Sequence, residues 1–157
     1  MVALVYGMYY YFLGGNKSNL GSTDFYIDDL GSVASLRTRD DSATQHTMML
    51  NGVISSNFDE RYIIIARKEM QFFNCREGNH LKIESEVQYM VIDKKSKEVF
   101  VSNKRTVFEE FKQNRNINLQ FDKTEKEIMQ LSEKYKESTL RGYTECIPVN
   151  NYPLINM

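Results

Sequence analysis

The chain has 157 residues, of which 41% are apolar and 26% are charged. This length corresponds to about one domain, and the composition excludes a disordered chain. With 20 basic and 21 acidic side chains the net charge is −1, which argues against a general nucleic-acid binder or a polybasic membrane binder. We therefore expect one globular domain with no nucleic-acid partner.

The N-terminus begins with an uncharged run, residues 2–13, which is followed by a polar spacer up to residue 20. A membrane-spanning helix needs about 17–25 apolar residues, and the run lacks the basic flank and cleavage site of a secretory signal. Three interpretations stay open for residues 1–20: an edge strand, the end of an anchor or signal that starts upstream, and an interfacial segment. The last two predict membrane association through this segment.

Four stretches before residue 70 predict β-structure. Residues 25–27 and 33–36 flank the turn-forming residues 28–32 and predict a hairpin. The Asn-Gly pair within residues 47–54 predicts either a tight turn or a bulged strand. The β-branched run at residues 62–66 predicts a strand that is buried on both faces.

A second β-rich region follows a polar loop that we predict at residues 76–80. Residues 83–89 alternate between apolar and polar side chains, which is the period of a strand. Residues 91–101 contain two apolar arms around a charged turn, and this pattern predicts an antiparallel hairpin.

Helical patterns appear only after residue 105. Thr106 and Glu109 have the spacing of a capping box at the start of a first helix. A second helix would begin at Asp122 or Thr124 and place the apolar residues of 128–135 along one stripe.

Together these elements predict an α+β fold. An antiparallel sheet of about five to seven strands would carry two helices, both from the C-terminal half, on one face. Residues 21–137 would form the single domain. Pro148 and Pro153 disfavour a final helix, so residues 138–157 are expected to be an extended strap or a tail.

Cys75 and Cys146 are the two cysteines of the chain. They could form one disulfide, worth about 4 kcal/mol on the chain-entropy model, or stay separate as small, partly buried thiols. Adding His46 and His80 makes a four-ligand metal site arithmetically conceivable, but their spacing does not match a zinc motif. We expect no metal and no cofactor.

The densest polar cluster contains Asp40, Asp41 and His46, which are residue types that general acid–base chemistry uses. A solvated loop explains the same cluster, and the sequence carries none of the common nucleophile, zinc-protease or dinucleotide motifs. The Gly-Gly-Asn-Lys-Ser stretch at residues 14–18 departs from the phosphate-binding pattern. We therefore expect a protein that is not an enzyme.

Positive charge is concentrated between residues 94 and 115. This region could form a docking surface for an acidic partner, or it could be a solvated turn and helix face. The candidate partner-binding residues are Lys94, Lys95, Lys97, Lys104, Arg105, Lys112 and Arg115.

The order of several stretches resembles a family of small uncharacterised bacterial domains that are exported and tethered to the membrane. The matching stretches are residues 21–26, the strand at 62–67, the hairpin arms at 89–95 and 98–100, and the helix at 108–111. The chain departs from that family because it shows neither a full signal nor an anchoring cysteine near its start. The resemblance implies a location in the cell envelope, and it carries no catalytic residues.

The sequence thus favours a non-catalytic domain that binds an unidentified protein at the extracytoplasmic face of the envelope, with a cytoplasmic location as the alternative. A second hypothesis is an immunity-type inhibitor of a co-encoded toxin. A third is a small hydrolase that uses Asp40, Asp41 and His46.

Overall fold

The computed structural model describes residues 16–20, 25–29, 34–38, 49–136 and 138–149. It contains one antiparallel sheet, in which strands β1 to β7 follow one another in chain order and a short β8 pairs with β5. The strands are β1 Asn16–Asn19, β2 Phe25–Asp29, β3 Ala34–Thr38, β4 Met49–Phe58, β5 Tyr62–Cys75, β6 Gly78–Asp93, β7 Val99–Ser102 and β8 Ile147–Pro148. The helices are α1 Arg105–Asn114 and α2 Glu125–Ser132. The predicted α+β fold is confirmed.

Strand β5 forms the centre of the core. Ile63, Ile64, Ile65 and Ala66 are completely buried, because alternate side chains of a strand point to opposite faces and both faces of this strand are covered. Ile63 and Ile65 join one apolar cluster, while Ile64 and Ala66 join a second. The prediction of a strand buried on both faces is confirmed.

The first cluster lies on the helix-free face and connects strands that are distant in the sheet. Leu20, at the end of β1, shares this cluster with Met90 and Ile92 of β6. Since four strands separate β1 from β6, the sheet must curl to bring these side chains together. Residues 16–19, which the sequence placed in the polar spacer, form β1 at the edge of this sheet.

The second cluster lies between the sheet and the two helices. Phe108 of α1 and Ile128 of α2 are completely buried there. The ring of Phe111 stacks on Phe100 of β7 at a centroid distance of 3.9 Å. Both helices therefore cover one face of the sheet, as predicted.

The Asn-Gly pair within β4 forms a bulge, not a tight turn. Ala34 pairs with Val53 and Ser35 pairs with Asn51, so Gly52 has no partner on β3. Gly52 has φ +76°, and a Cβ at this position would lie 2.0 Å from the carbonyl oxygen of Lys68. Only glycine allows the two backbones to approach this closely.

The two helix starts differ from each other. At α2 the sequence left Asp122 and Thr124 as alternative caps, and the structure places the cap at Thr124. A capping box forms there, since the Thr124 hydroxyl accepts from the Glu127 amide and the Glu127 carboxylate accepts from the Thr124 amide. At α1 the predicted capping box is wrong. This helix begins after Lys104 without a side-chain cap, so Thr106 already lies within the first turn.

The loop predicted at residues 76–80 is much shorter in the structure. Cys75 pairs directly with Gly78, which leaves a two-residue turn at Arg76 and Glu77. The β5–β6 hairpin therefore extends past its neighbours. The predictions for residues 2–13 and for Asp40, Asp41 and His46 lie outside the described residues.

Candidate functional site

The end of the β5–β6 hairpin, residues 70–83, is called the hairpin tip below. Strand β4 pairs with β5 only as far as Arg67, and β7 pairs with β6 only from Tyr89 onward. The backbone pairing of β5 and β6 with their neighbouring strands therefore ends before the tip. Without another partner, its two outer edges would present unpaired backbone groups.

Residues 138–149, called the C-terminal strap, supply those partners. On the outer edge of β6, Ser138 and Ile83 exchange two backbone hydrogen bonds, of 3.0 and 3.1 Å. On the outer edge of β5, Ile147 pairs with Asn74 and Pro148 pairs with Phe73. Because these are opposite edges of one hairpin, the strap passes round the turn that closes it.

The strap is clamped to this turn through Thr144. The Arg76 amide donates to the Thr144 carbonyl at 3.1 Å. The Thr144 amide and hydroxyl donate to the two oxygens of the Glu77 carboxylate at 3.0 and 2.6 Å. These two bonds stabilise the ionised carboxylate and hold the pKa of Glu77 below its ordinary value.

A disulfide joins the strap covalently to the tip. Sequence analysis left the state of Cys75 and Cys146 open, and the structure links the two residues across a sequence separation of 71. Neither sulfur is therefore available as a thiolate ligand for a metal. Across the described ranges, there is also no group of three or more His, Cys, Asp or Glu side chains that could hold a metal ion.

His80 lies in β6 and contacts the strap, although the sequence placed it in a loop. Its ring stacks on Tyr143 with centroids 4.0 Å apart. Its Nε2 lies 3.0 Å from the Thr139 carbonyl oxygen and 3.3 Å from the Ser138 hydroxyl oxygen. Since a carbonyl only accepts, Nε2 must carry the proton for the shorter bond, and it then cannot act as a base toward Ser138.

One face of the tip carries two exposed apolar side chains. The register pairs Phe72 with Leu81 and Asn74 with Ile147, and paired residues share a face. Phe72 is 44% exposed and Ile147 is 68% exposed. The exposed side chains on this face are therefore two large apolar groups with asparagines beside them.

Two of the cations predicted to form a binding surface are buried in the fold. Lys94 and Lys112 are buried. The Lys94 ammonium donates to the carbonyl oxygens of Leu20 and Asp59, and Lys112 pairs with Glu109 at 2.9 Å. These two side chains hold the fold together and are not available to a partner.

Arg105 is also engaged within the protein. Its guanidinium pairs with Glu109 at 2.7 Å and with Glu125 at 2.9 Å, and it lies 4.9 Å from the ring centroid of Phe121. Glu125 also accepts a 2.7 Å bond from the Tyr89 hydroxyl. Burial and this hydrogen bond raise the pKa of Tyr89 to about 12.

The other cations of the predicted surface are exposed. Lys95 and Lys97 lie in the β6–β7 turn, Lys104 precedes α1 and Arg115 follows it. A partner could therefore contact these four residues, whereas Lys94, Arg105 and Lys112 are engaged within the protein. Sequence analysis missed the hairpin tip, for which the available signals were the alternation at residues 70–72 and the pair of cysteines.

The comparisons with known proteins add no relative, since no family model, no curated protein and no solved structure matches this chain. The structure alone therefore gives the class of the protein, which is an α+β domain whose hairpin tip is closed by a disulfide. In the described part of the chain, neither helix has the length and apolar character needed to cross a bilayer.

Proposed function

We propose that this chain is a non-catalytic domain of the cell envelope, at its extracytoplasmic face, that binds another protein through the hairpin tip. The observation that carries this proposal is the pair of exposed apolar side chains, Phe72 and Ile147, on a tip closed by the Cys75–Cys146 disulfide. The proposal moves the binding surface from the predicted lysines to the tip.

The disulfide supports a location at the extracytoplasmic face of the envelope. Disulfides form and persist in oxidising environments and are rare where cellular thiols keep cysteines reduced. Here the bond between Cys75 and Cys146 fixes a strap whose residues are all exposed or half-buried. A segment with so little buried apolar surface gains much of its order from the covalent link.

The apolar face supports binding of a protein. Exposed aromatic and aliphatic side chains that lie together mark interaction surfaces more often than isolated ones do, and aromatic residues are common energetic anchors in such interfaces. Phe72 and Ile147 are diagonal neighbours across the β5–β8 pair. The cross-link also holds them in place, which lowers the entropy lost on binding.

A site-specific photo-cross-linking experiment tests the proposal. A photoreactive phenylalanine analogue replaces Phe72 or Ile147 in the full chain, and in control proteins it replaces Val107 or Met129. The controls are well matched, because Val107 is 40% exposed and Met129 is 47% exposed, yet both lie on the helices. After irradiation in the native envelope, cross-linked products are identified by mass spectrometry.

We expect one defined protein to be cross-linked from the tip positions and not from the helix positions. With that partner purified, Phe72→Ser should weaken its binding, while Val107→Ser should leave binding unchanged. Equal cross-linking from tip and helix positions, or none from the tip, would contradict the proposal.

A further inference from the structure

The strap fills a site on the hairpin tip, and it is held there by backbone hydrogen bonds and by one covalent bond that can be opened. We infer that the outer edge of β5 is a strand-accepting site. In the oxidised protein the strap fills it, and after reduction of Cys75–Cys146 an extended segment of a protein partner takes its place. The inference rests on the proposed function, because it assumes that the tip binds a protein.

The backbone of the tip needs a partner strand. The carbonyl oxygen of Phe72 accepts a 2.9 Å bond from the Val149 amide, and Phe73 and Asn74 pair with Pro148 and Ile147. Since β4 pairs with β5 only as far as Arg67, the strap is what covers this edge. Removing it would leave an edge that a peptide can extend by one strand.

The noncovalent hold on the strap is modest. Its contacts include exposed hydrogen bonds and an ion pair between Arg76 and Glu145 at 3.7 Å, in which both side chains are more than 70% exposed. Ion pairs of this kind contribute little to stability. Ile147, the aliphatic side chain that the strap places beside Phe72, remains 68% exposed. The disulfide is therefore the covalent constraint that supplements these noncovalent contacts.

The opening step is an ordinary thiol–disulfide exchange with a dithiol reductant. Cys75 is buried and Cys146 is half-buried, so a thiolate of the reductant attacks the sulfur of Cys146 and the thiolate of Cys75 leaves. The second thiolate of the reductant then attacks the mixed disulfide and releases the thiolate of Cys146. Two electrons pass to the cysteine pair, both cysteines take up the protons that the reductant lost, and the reductant becomes a disulfide.

The strap itself shows which peptide the site accepts. It places an apolar side chain, Ile147, opposite Asn74 and beside Phe72, and the next residue is a proline. The probe is therefore a fluorescent peptide with the sequence of residues 143–149, in which serine replaces the cysteine. A control peptide carries aspartate in place of the isoleucine.

Fluorescence anisotropy measures binding of each peptide to the full chain in the oxidised state, after reduction with dithiothreitol, and in the Cys75→Ser/Cys146→Ser double variant. We expect the probe to bind the reduced protein and the double variant at least about tenfold more tightly than the oxidised protein. The aspartate peptide should not bind. Equal affinity for the oxidised and reduced states, or no binding to the reduced state, would overturn the inference.

Amide hydrogen exchange shows whether reduction opens only the strap. In the reduced protein the amides of Ile83 and Val149 should lose protection, while those of Ile64 and Val91 in the core strands stay protected. Loss of protection throughout, or retained protection at Val149, would also overturn the inference. Cross-linking from Phe72 in the oxidised protein tests the proposed function and not the strand-accepting site. The proposed function and this inference can therefore be refuted independently.

Discussion

The ammonium group of Lys94 donates to the carbonyl oxygen of Leu20 at 3.0 Å, across 74 positions of sequence. The same group donates to the carbonyl of Asp59 and lies 5.5 Å from the ring centroid of Phe58. Lys94 thus ties the end of β1 to the β4–β5 turn. Burial lowers the pKa of Lys94, as expected for a cation removed from water.

Replacement of Lys94 by methionine should destabilise the protein. The variant keeps most of the apolar stem but leaves two carbonyl oxygens without their donor, and we expect a loss of about 2 kcal/mol in the free energy of unfolding. Urea denaturation measures this change. The matched control is Lys95→Met at the exposed neighbouring position, which should stay within about 0.5 kcal/mol of the wild type. Similar effects of both substitutions would contradict the role assigned to Lys94.

Gly52→Ala should be among the most damaging single substitutions. It adds a methyl group 2.0 Å from the Lys68 carbonyl oxygen in a backbone with φ +76°, so β4 and β5 must separate. We expect a loss of at least about 3 kcal/mol. Gly78→Ala is the control, since φ there is +125° but no atom lies within 4 Å of the added carbon. It should cost only the backbone strain, about 1–3 kcal/mol, and an equal or larger loss at Gly78 would refute the steric account.

Stability should decrease in mild acid partly through Asp93. Burial by itself would raise the pKa of this carboxyl, but Arg61 and the amides of Lys95 and Ser96 donate to it and hold its pKa below the ordinary 3.8. The unfolded chain therefore takes up a proton at a higher pH than the folded chain does. The stabilisation is present above about pH 4 and is lost as the pH falls through the lowered pKa.

Urea denaturation between pH 3 and pH 6 tests this linkage. The free energy of unfolding of the wild type should fall more steeply with decreasing pH than that of Asp93→Asn. Arg61→Met should lie between them, because the two backbone amides still stabilise the carboxylate. Parallel pH profiles for wild type and Asp93→Asn would show that Asp93 does not contribute.

Thr124, which caps α2, and Thr106, the cap predicted for α1, provide a matched pair of substitutions. Thr124→Ala removes the hydroxyl that accepts from the Glu127 amide and should cost about 1 kcal/mol. Thr106→Ala, at an exposed position inside the first turn of α1, should change stability by less than about 0.5 kcal/mol. Thermal or urea denaturation measures the stability of both variants. A larger loss of stability for Thr106→Ala than for Thr124→Ala would indicate that α1 begins at Thr106, as the sequence predicted.

These cases show which parts of the structure local sequence can predict. The β-branched run at 62–66 and the cap of α2 depend on neighbouring residues. The run was predicted correctly, and Thr124 was one of the two caps that the sequence offered. The direction in which the Lys94 side chain points depends on the Leu20 carbonyl oxygen, which is 74 positions away. The sequence of a charged turn does not distinguish a buried lysine from a solvated one. The failure at Thr106 has a local cause, since Ser102 accepts from the Lys104 amide at 3.0 Å and shapes the entry to α1.

The hairpin tip could not be predicted from neighbouring residues, because it too depends on contacts between residues that are distant in sequence. The strap that completes its edges is distant in sequence, since Ser138 pairs with Ile83 across more than 50 positions. The polar residues 76–80 also have the composition of a loop. The cysteines signalled that a connection could exist, but composition does not determine whether two thiols meet. Pairing over long separations is decided by the whole fold.

The redox state of Cys75 and Cys146 in native cells tests the central claim most directly. Cells are quenched in acid, free thiols are blocked with one alkylating reagent, and the protein is then reduced and treated with a second, isotopically distinct reagent before mass spectrometry. We predict that both cysteines carry only the second label and that a nonreduced digest contains their cross-linked peptide. If both cysteines carry the first label, the proposed disulfide-closed tip does not exist in the cell.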